Sequence, residues 1–226
     1  MLTLYAHPFS SYCQKALVAL YETDTPFRLR HLEEPGAMDE LAALWPLKRF
    51  PVLVDGDAVI VEATAIIEYV AATRPGAARL IPADPVAAVE ARMMDRIFDN
   101  YVNTPQQTFI YDALRPEDQR DPKGVADAAA VFDRIYPWLD ERLKGQDWAT
   151  PHGFTLADCG AASALFYAGL DLSDPGAIRG ASRLSRPASG AAGHGPRRGR
   201  GAPVPELLPP GRARSRLSVH AIDPTL

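Results

Sequence analysis

Short apolar runs alternate with helical periodicities through the first third of the chain. Leu2-Thr3-Leu4-Tyr5 is closed by His7-Pro8, and the segment after it returns Cys13, Leu17, Leu20 and Tyr21 to one helical face, which predicts a strand followed by a helix. Phe27 to Leu32 alternates apolar with polar residues after the Thr25-Pro26 break, the pattern of a half-buried second strand. Pro51–Val54 and Ala58–Val61 flank Asp55-Gly56-Asp57, and a glycine in a short polar connection marks a hairpin. Ile66, Ile67, Tyr69 and Val70 then recur at helical spacing until Arg74-Pro75-Gly76, where the residue before proline leaves the helical region. The predicted order is βαβ, a connector, then ββα.

The pattern changes after Ile81. Pro82-Ala83-Asp84-Pro85 reads as a linker running into a helix, with Asp84 as N-cap and Pro85 at the first helical position. Val86, Val89, Met93, Met94, Ile97, Phe98 and Tyr101 form one predicted apolar face, and Val125, Phe132, Ile135, Trp138 and Leu139 form another. Thr155-Leu156-Ala157-Asp158 has the form of a structural capping box, in which Thr155 and Asp158 each accept from a backbone amide. The run from Cys159 to Leu170 is apolar on nearly every side and is expected at the centre of the second domain. These signals divide the chain into an α/β domain (1–76), a linker (77–84), an all-helical domain (85–174) and an atypical tail (175–226).

Composition narrows the function classes. The 226 residues are 47% apolar with a net charge of −4, enough for buried cores and without a global pull toward nucleic acid or anionic membrane. Two cysteines are too few for a disulfide framework, and the start lacks a basic segment and a long apolar run, so a soluble, cytoplasmic protein is expected. No stretch approaches the roughly 20 apolar residues that span a bilayer. The five histidines show no ligand spacing with the cysteines, and no metal site is predicted. The tail is rich in Gly, Pro, Ala and Ser, and from Arg179 to Leu226 it holds nine Arg, no Lys and only Glu206 and Asp223 as acids. Three readings compete: a disordered tail, a basic arm without the aromatic interleaving of a nucleic-acid site, and a frameshifted end, which is the hypothesis preferred here.

Candidate chemistry begins with His7-Pro8-Phe9-Ser10-Ser11-Tyr12-Cys13-Gln14-Lys15, which places a hydroxyl where a strand ends and a helix starts. Free amides and the positive end of the helix dipole favour an anion there, and a thiolate suits the site. Lowering a thiol pKa by about 2 units needs about 2.7 kcal/mol. A charge-assisted hydrogen bond supplies roughly 1.5 to 3 kcal/mol. The alternative is that Ser10 or Ser11 only caps the helix. Cys13 shares a face with Leu17 and Leu20 and reads as a small core hydrophobe, with monothiol chemistry left open.

Together with Trp45-Pro46-Leu47-Lys48-Arg49-Phe50-Pro51-Val52-Leu53-Val54, the Asp-Gly-Asp hairpin, Glu62-Ala63-Thr64-Ala65-Ile66 and the Thr155/Asp158 box, this Ser-x-x-Cys string stands in the order and spacing of cytosolic glutathione transferases, and residues 1–170 resemble that family. The resemblance implies a thioredoxin-like N-terminal domain and an all-α C-terminal domain. It implies Ser10 as the hydroxyl that stabilises the glutathione thiolate, with Ser11 beside it. Pro51 matches a cis-proline that leaves the backbone of Phe50 free to pair with the cysteinyl part of glutathione. Arg49 suits the glycine carboxylate, and Glu62 the γ-glutamyl end. The serine that usually follows is Ala63, whose amide remains to bind that carboxylate. The implied function is glutathione conjugation to a small electrophile, with glutathione as co-substrate, no further cofactor, and a homodimer as the assembly. Glutathione-dependent isomerisation or dehalogenation, and a non-catalytic interaction protein of the same fold, are the alternatives. Met93, Met94, Tyr101, Phe109 and Tyr111 either face the thiolate or belong to helical core, and the core reading is preferred.

Overall fold

The N-terminal region of this computed structural model, which describes residues 1–171, is a four-stranded sheet. Strand β1 (Leu2–Ala6) buries Leu2, Leu4 and Ala6, and helix α1 (Ser11–Glu22) crosses over to β2 (Phe27–His31), which pairs with β1 in parallel. Helix α2 spans Ala37–Leu44, followed by β3 (Val52–Asp55), β4 (Ala58–Val61) and α3 (Ala63–Thr73). Both β3 pairings are antiparallel, and the sheet order is β2-β1-β3-β4. This is a thioredoxin-like sheet. Gly56, at φ 60°, opens the two-residue turn between Asp55 and Ala58, a backbone conformation that glycine adopts without steric cost.

The segment read from sequence as a connector contains α2, whose Ala37 and Leu41 are buried against Val52. Its amphipathic pattern covers barely two turns, too short to stand out by periodicity alone.

A 3-10 turn (Pro75–Leu80) leads to α4 (Pro85–Phe98), capped by Asp84, whose carboxylate accepts the Ala87 amide at 2.8 Å. A widened π turn, Asp99–Asn103, joins α4 to α5 (Thr104–Leu114), and α6 (Pro122–Arg142) and α7 (Leu156–Asp171) complete the described helices. At the start of α7 the Asp158 carboxylate accepts the Thr155 amide at 2.8 Å and the Ala149 amide at 2.7 Å, while Thr155 Oγ1 accepts the Ala157 amide. Among the described residues no helix is long and apolar enough to cross a membrane. The tail from 175 onward, with its competing readings, lies outside the described residues.

The helical layer does not sit on the sheet as its apolar pattern predicts. On α4 the buried residues are Ala87, Ala88, Ala91, Met94, Asp95 and Phe98, while Val86, Val89 and Met93 are exposed, as is Tyr101 beyond it. Trp138 is likewise exposed, although Phe132 and Leu139 of its predicted face are buried. The reason on α4 is electrostatic. Lys15 of α1, fully buried, places its ammonium 2.6 Å from Asp95 Oδ1 and 2.7 Å from Asp99 Oδ2, and donates to Thr64 Oγ1 at 2.8 Å. An ammonium out of water needs such partners, so α4 turns Asp95 inward and its small residues with it. α7 inserts beside the cluster: a Cβ on Gly160 would come within 3.2 Å of Asp95 Oδ1 and 3.8 Å of Lys15 Cε. Leu156 and Cys159 of α7 and Ala91 of α4 share one core with β1, α1 and α3. Thus α7 packs against the α/β layer as well as the helical one.

Replacing Lys15 by Met leaves two buried carboxylates short of a cation and is expected to cost about 3 to 5 kcal/mol. Urea unfolding of Lys15→Met, Asp95→Leu and the double variant checks it; the double variant is expected to be more stable than Lys15→Met alone. Asp158→Asn strands a backbone amide at the α7 start and is expected to lower stability by about 1 to 3 kcal/mol in the same assay.

Candidate functional site

Sheet register brings the serine loop, the proline and the acidic residue to one end. Tyr5 pairs with Val52 and Val52 with Val61, so continuing each ladder by one residue sets Ala6, Pro51 and Glu62 in a row across β1, β3 and β4. Strands about 4.8 Å apart make that row about 10 Å wide. The Phe50–Pro51 peptide is cis, and the Phe50 ring lies 6.0 Å from that of His7.

Ser10 is the N-cap of α1, and its Oγ accepts the Cys13 amide at 3.3 Å. The same hydroxyl lies at the Cys13 thiol, where it and the His7 amide partly offset the burial that pushes this thiol up to about 11. Cys13 is therefore a protonated, enclosed thiol, and Cys159 is pushed well up by its burial too. Ser10 is partly exposed, and its hydroxyl caps the helix. Ser11 is placed differently. Its side chain is buried and its Oγ is out of solvent contact, so only its backbone amide can meet a ligand at the helix start.

Glu62 and Ala63 begin α3. Glu62 holds φ 70° and ψ 123° with its side chain exposed, a conformation that costs a non-glycine residue of order 1 to 3 kcal/mol. Ala63 is buried, and as the first helical residue its amide has no partner within the helix. The next residue ties this corner to the ion cluster: Thr64 Oγ1 accepts from Lys15 and donates to Asp95 Oδ2 at 2.8 Å. Arg96 closes the group by pairing with Asp95, Asp99 and Thr64.

Arg49 is exposed and donates to Tyr111 Oη of α5 at 3.5 Å. A second contact across the layers joins Tyr12 Oη to Thr104 Oγ1 at 3.5 Å. These two contacts join the α/β layer to α5. Among the residues considered for a co-substrate pocket, Tyr111 contacts Arg49. Phe109 stacks on Phe132 at 5.7 Å, and Met94 is buried in the helical core. Tyr12, Thr104 and Lys15 were not read as site residues from sequence. Lys15 left a signal there, being a cation on the same α1 face as Ser11, but its partners lie more than 45 residues away.

Comparison with known proteins bears on the fold. Residues 4–78 match the family model described as glutathione S-transferase, N-terminal domain. A stringent starvation protein A homolog of Coxiella burnetii is 26% identical over 167 residues, covering 74% of this chain and 75% of the relative. A glutathione S-transferase of Methylobacillus flagellatus solved with glutathione bound superposes with a TM-score of 0.74 at 24% identity, covering 81% of this chain and 92% of that one. One of Methylobacterium radiotolerans in complex with glutathione sulfonate gives 0.70 at 23%, covering 81% and 88%. Residues 4–78 thus match the glutathione S-transferase N-terminal domain model, and the chain has a glutathione S-transferase fold.

Proposed function

We propose that the protein binds glutathione in extended form along the row Ala6, Pro51 and Glu62 and adds its thiolate to a small electrophile. The register carries this reading, because a row about 10 Å wide suits an extended tripeptide of about 10 Å. In this arrangement the backbone of Phe50 pairs with the cysteinyl residue like an added strand. Arg49 takes the glycine carboxylate, Glu62 the γ-glutamyl ammonium, and the free amide of Ala63 the adjoining carboxylate. A thiolate is a stronger acceptor than the neutral Cys13 thiol, so the sulfur of glutathione captures the Ser10 O–H. The glutathione S–H proton leaves to solvent. The thiolate electron pair then forms a C–S bond, and the leaving group departs with its own pair.

Isomerisation or dehalogenation of a bound substrate would begin from the same thiolate. A non-catalytic interaction protein is the second reading, favoured by Ala63 at the γ-glutamyl corner and by a relative whose name states no transferase activity. The preferred role is a cytoplasmic, detoxifying transferase working as a homodimer. For the dimer, Val86, Val89 and Met93 form an exposed ridge on α4, beside a groove of about 260 Å³ lined by Glu68, Ala71, Ala72, Ile81 and Arg92. A twofold axis would seat the ridge of one copy in the alanine-lined groove of the other.

Calorimetry with glutathione and an ultraviolet scan for thiolate test the binding step. Ser10→Ala is expected to restore a thiol pKa near 8.5, leaving roughly 25-fold less thiolate at pH 7 than a pKa of about 6.5 allows. Binding absent from folded wild-type protein would favour the interaction reading. Glu62→Gly is expected to leave unfolding stability unchanged or raised while weakening glutathione roughly tenfold or more, separating strain relief from ligand contact. Val89→Asp with Met93→Asp is expected to reduce the mass seen by light scattering from twice the 24.6 kDa chain to one chain.

A further inference from the structure

His7 stands where β1 ends, and it makes more contacts to the Ser10 loop than its place in a short connection requires. Its backbone amide donates to Cys13 Sγ at 3.4 Å, and its carbonyl accepts the Ser10 amide at 3.2 Å. Its ring Nδ1 accepts the Phe9 amide at 3.2 Å, closing a turn like those asparagine forms with the amide two residues on. The ring packs between Phe9, at 5.8 Å, and Phe50, at 6.0 Å. One imidazole thus touches both the serine loop and the strand edge before the cis-proline. The opposite side of the loop is pinned by Gln14, which donates to the Pro8 carbonyl at 2.7 Å.

These contacts assign the tautomer. Nδ1 accepts, so the proton of the neutral ring resides on Nε2. That nitrogen is buried without a hydrogen-bond partner, its nearest charged neighbour being Glu33 Oε1 at 3.6 Å. The titratable groups facing the ring are Glu33 and His31 from the end of β2 and Cys13 from α1, while the β3 side presents Phe50.

We propose that His7 is a positioning residue for Ser10: its neutral ring holds the Phe9 amide and with it the serine loop, and a proton on Nδ1 releases that amide and lowers glutathione affinity. The step balances simply. Nδ1 gains a solvent proton, changes from acceptor to donor, and the N–H of Phe9 loses its acceptor. The imidazolium then has Glu33 as its remaining anionic neighbour. Burial pushes the His7 pKa below the ordinary histidine value, outweighing the upward pull of Glu33, and His31 adds to the lowering. For a base depressed in the fold, the unfolded chain binds protons first as pH falls. The stability held by the neutral ring is therefore complete above about pH 6.5 and is lost below it, and the loop is released as pH falls through the lowered pKa of the folded ring.

This inference rests on the glutathione reading of the site, and its test separates the two. S-methylglutathione carries no titrating thiol, so its affinity, measured by calorimetry from about pH 5 to about pH 8, reports the site and not the sulfur. Wild-type affinity is expected to fall roughly tenfold on acidification, the effect of one lost hydrogen bond. His7→Asn offers an oxygen acceptor to Phe9 and does not titrate, so its affinity is expected to match wild type at neutral pH and stay level. His7→Phe keeps the ring without the acceptor and is expected to bind weakly throughout. Parallel pH profiles for wild type and His7→Asn would overturn the proposal. If none of the proteins binds at neutral pH, the glutathione reading fails, and the Phe9 amide nitrogen resonance of the ligand-free protein decides the His7 inference. An acid inflection present in wild type and absent in His7→Asn supports it; its absence from wild type overturns it.

Discussion

A lysine ammonium with no access to water is the constraint around which the two layers are arranged. Lys15 needs anions, and they come from α4 and the turn after it, Asp95 and Asp99. Leaving the cation unpaired would cost several kcal/mol, whereas a well-made buried pair repays its desolvation with little to spare. The cluster therefore matters more for orientation than for net stability. It sets which face of α4 meets α1, and it requires small residues nearby, among them Ala91 and Gly160.

The same cluster reaches the candidate site through one hydroxyl. Thr64 is two residues beyond Glu62, and its Oγ accepts from Lys15 while donating to Asp95. The start of α3 is thus tied to the helical layer at the corner where Glu62 is held at positive φ. Strain at one residue persists only when its surroundings over-determine it. Here the β3–β4 hairpin on one side and Thr64 on the other do so. Ser10 illustrates a related economy, since one oxygen caps α1 and also lies at the Cys13 thiol. Capping occupies one of the free amides of the first helical turn and leaves the others open.

Much of the fold and part of the site were legible along the chain. Alternation marked β2, short apolar runs marked β1, β3 and β4, and the Asp55-Gly56-Asp57 connection marked the hairpin, because a strand exposes its pattern locally. Ser10, Pro51 and Glu62 each stand at the end of such an element, so ordering the elements was enough to suggest that they meet. Two features escaped for lack of length or contrast: α2 spans barely two turns, and the π turn at Asp99–Asn103 shifts the helical phase without a compositional mark.

The sequence by itself determined the thioredoxin-like order of strands and helices, the capping residues, and the identity of the hydroxyl at the α1 start, all of which depend on neighbours a few positions apart. Only the tertiary structure decided which face of α4 is buried, that the Ser11 side chain turns inward, and that His7 spans the serine loop and the Phe50 edge. Those outcomes depend on groups far apart in the chain, such as Lys15 and Asp95. Hydrophobic periodicity registers how apolar a face is and carries no information about where a distant charge must be neutralised.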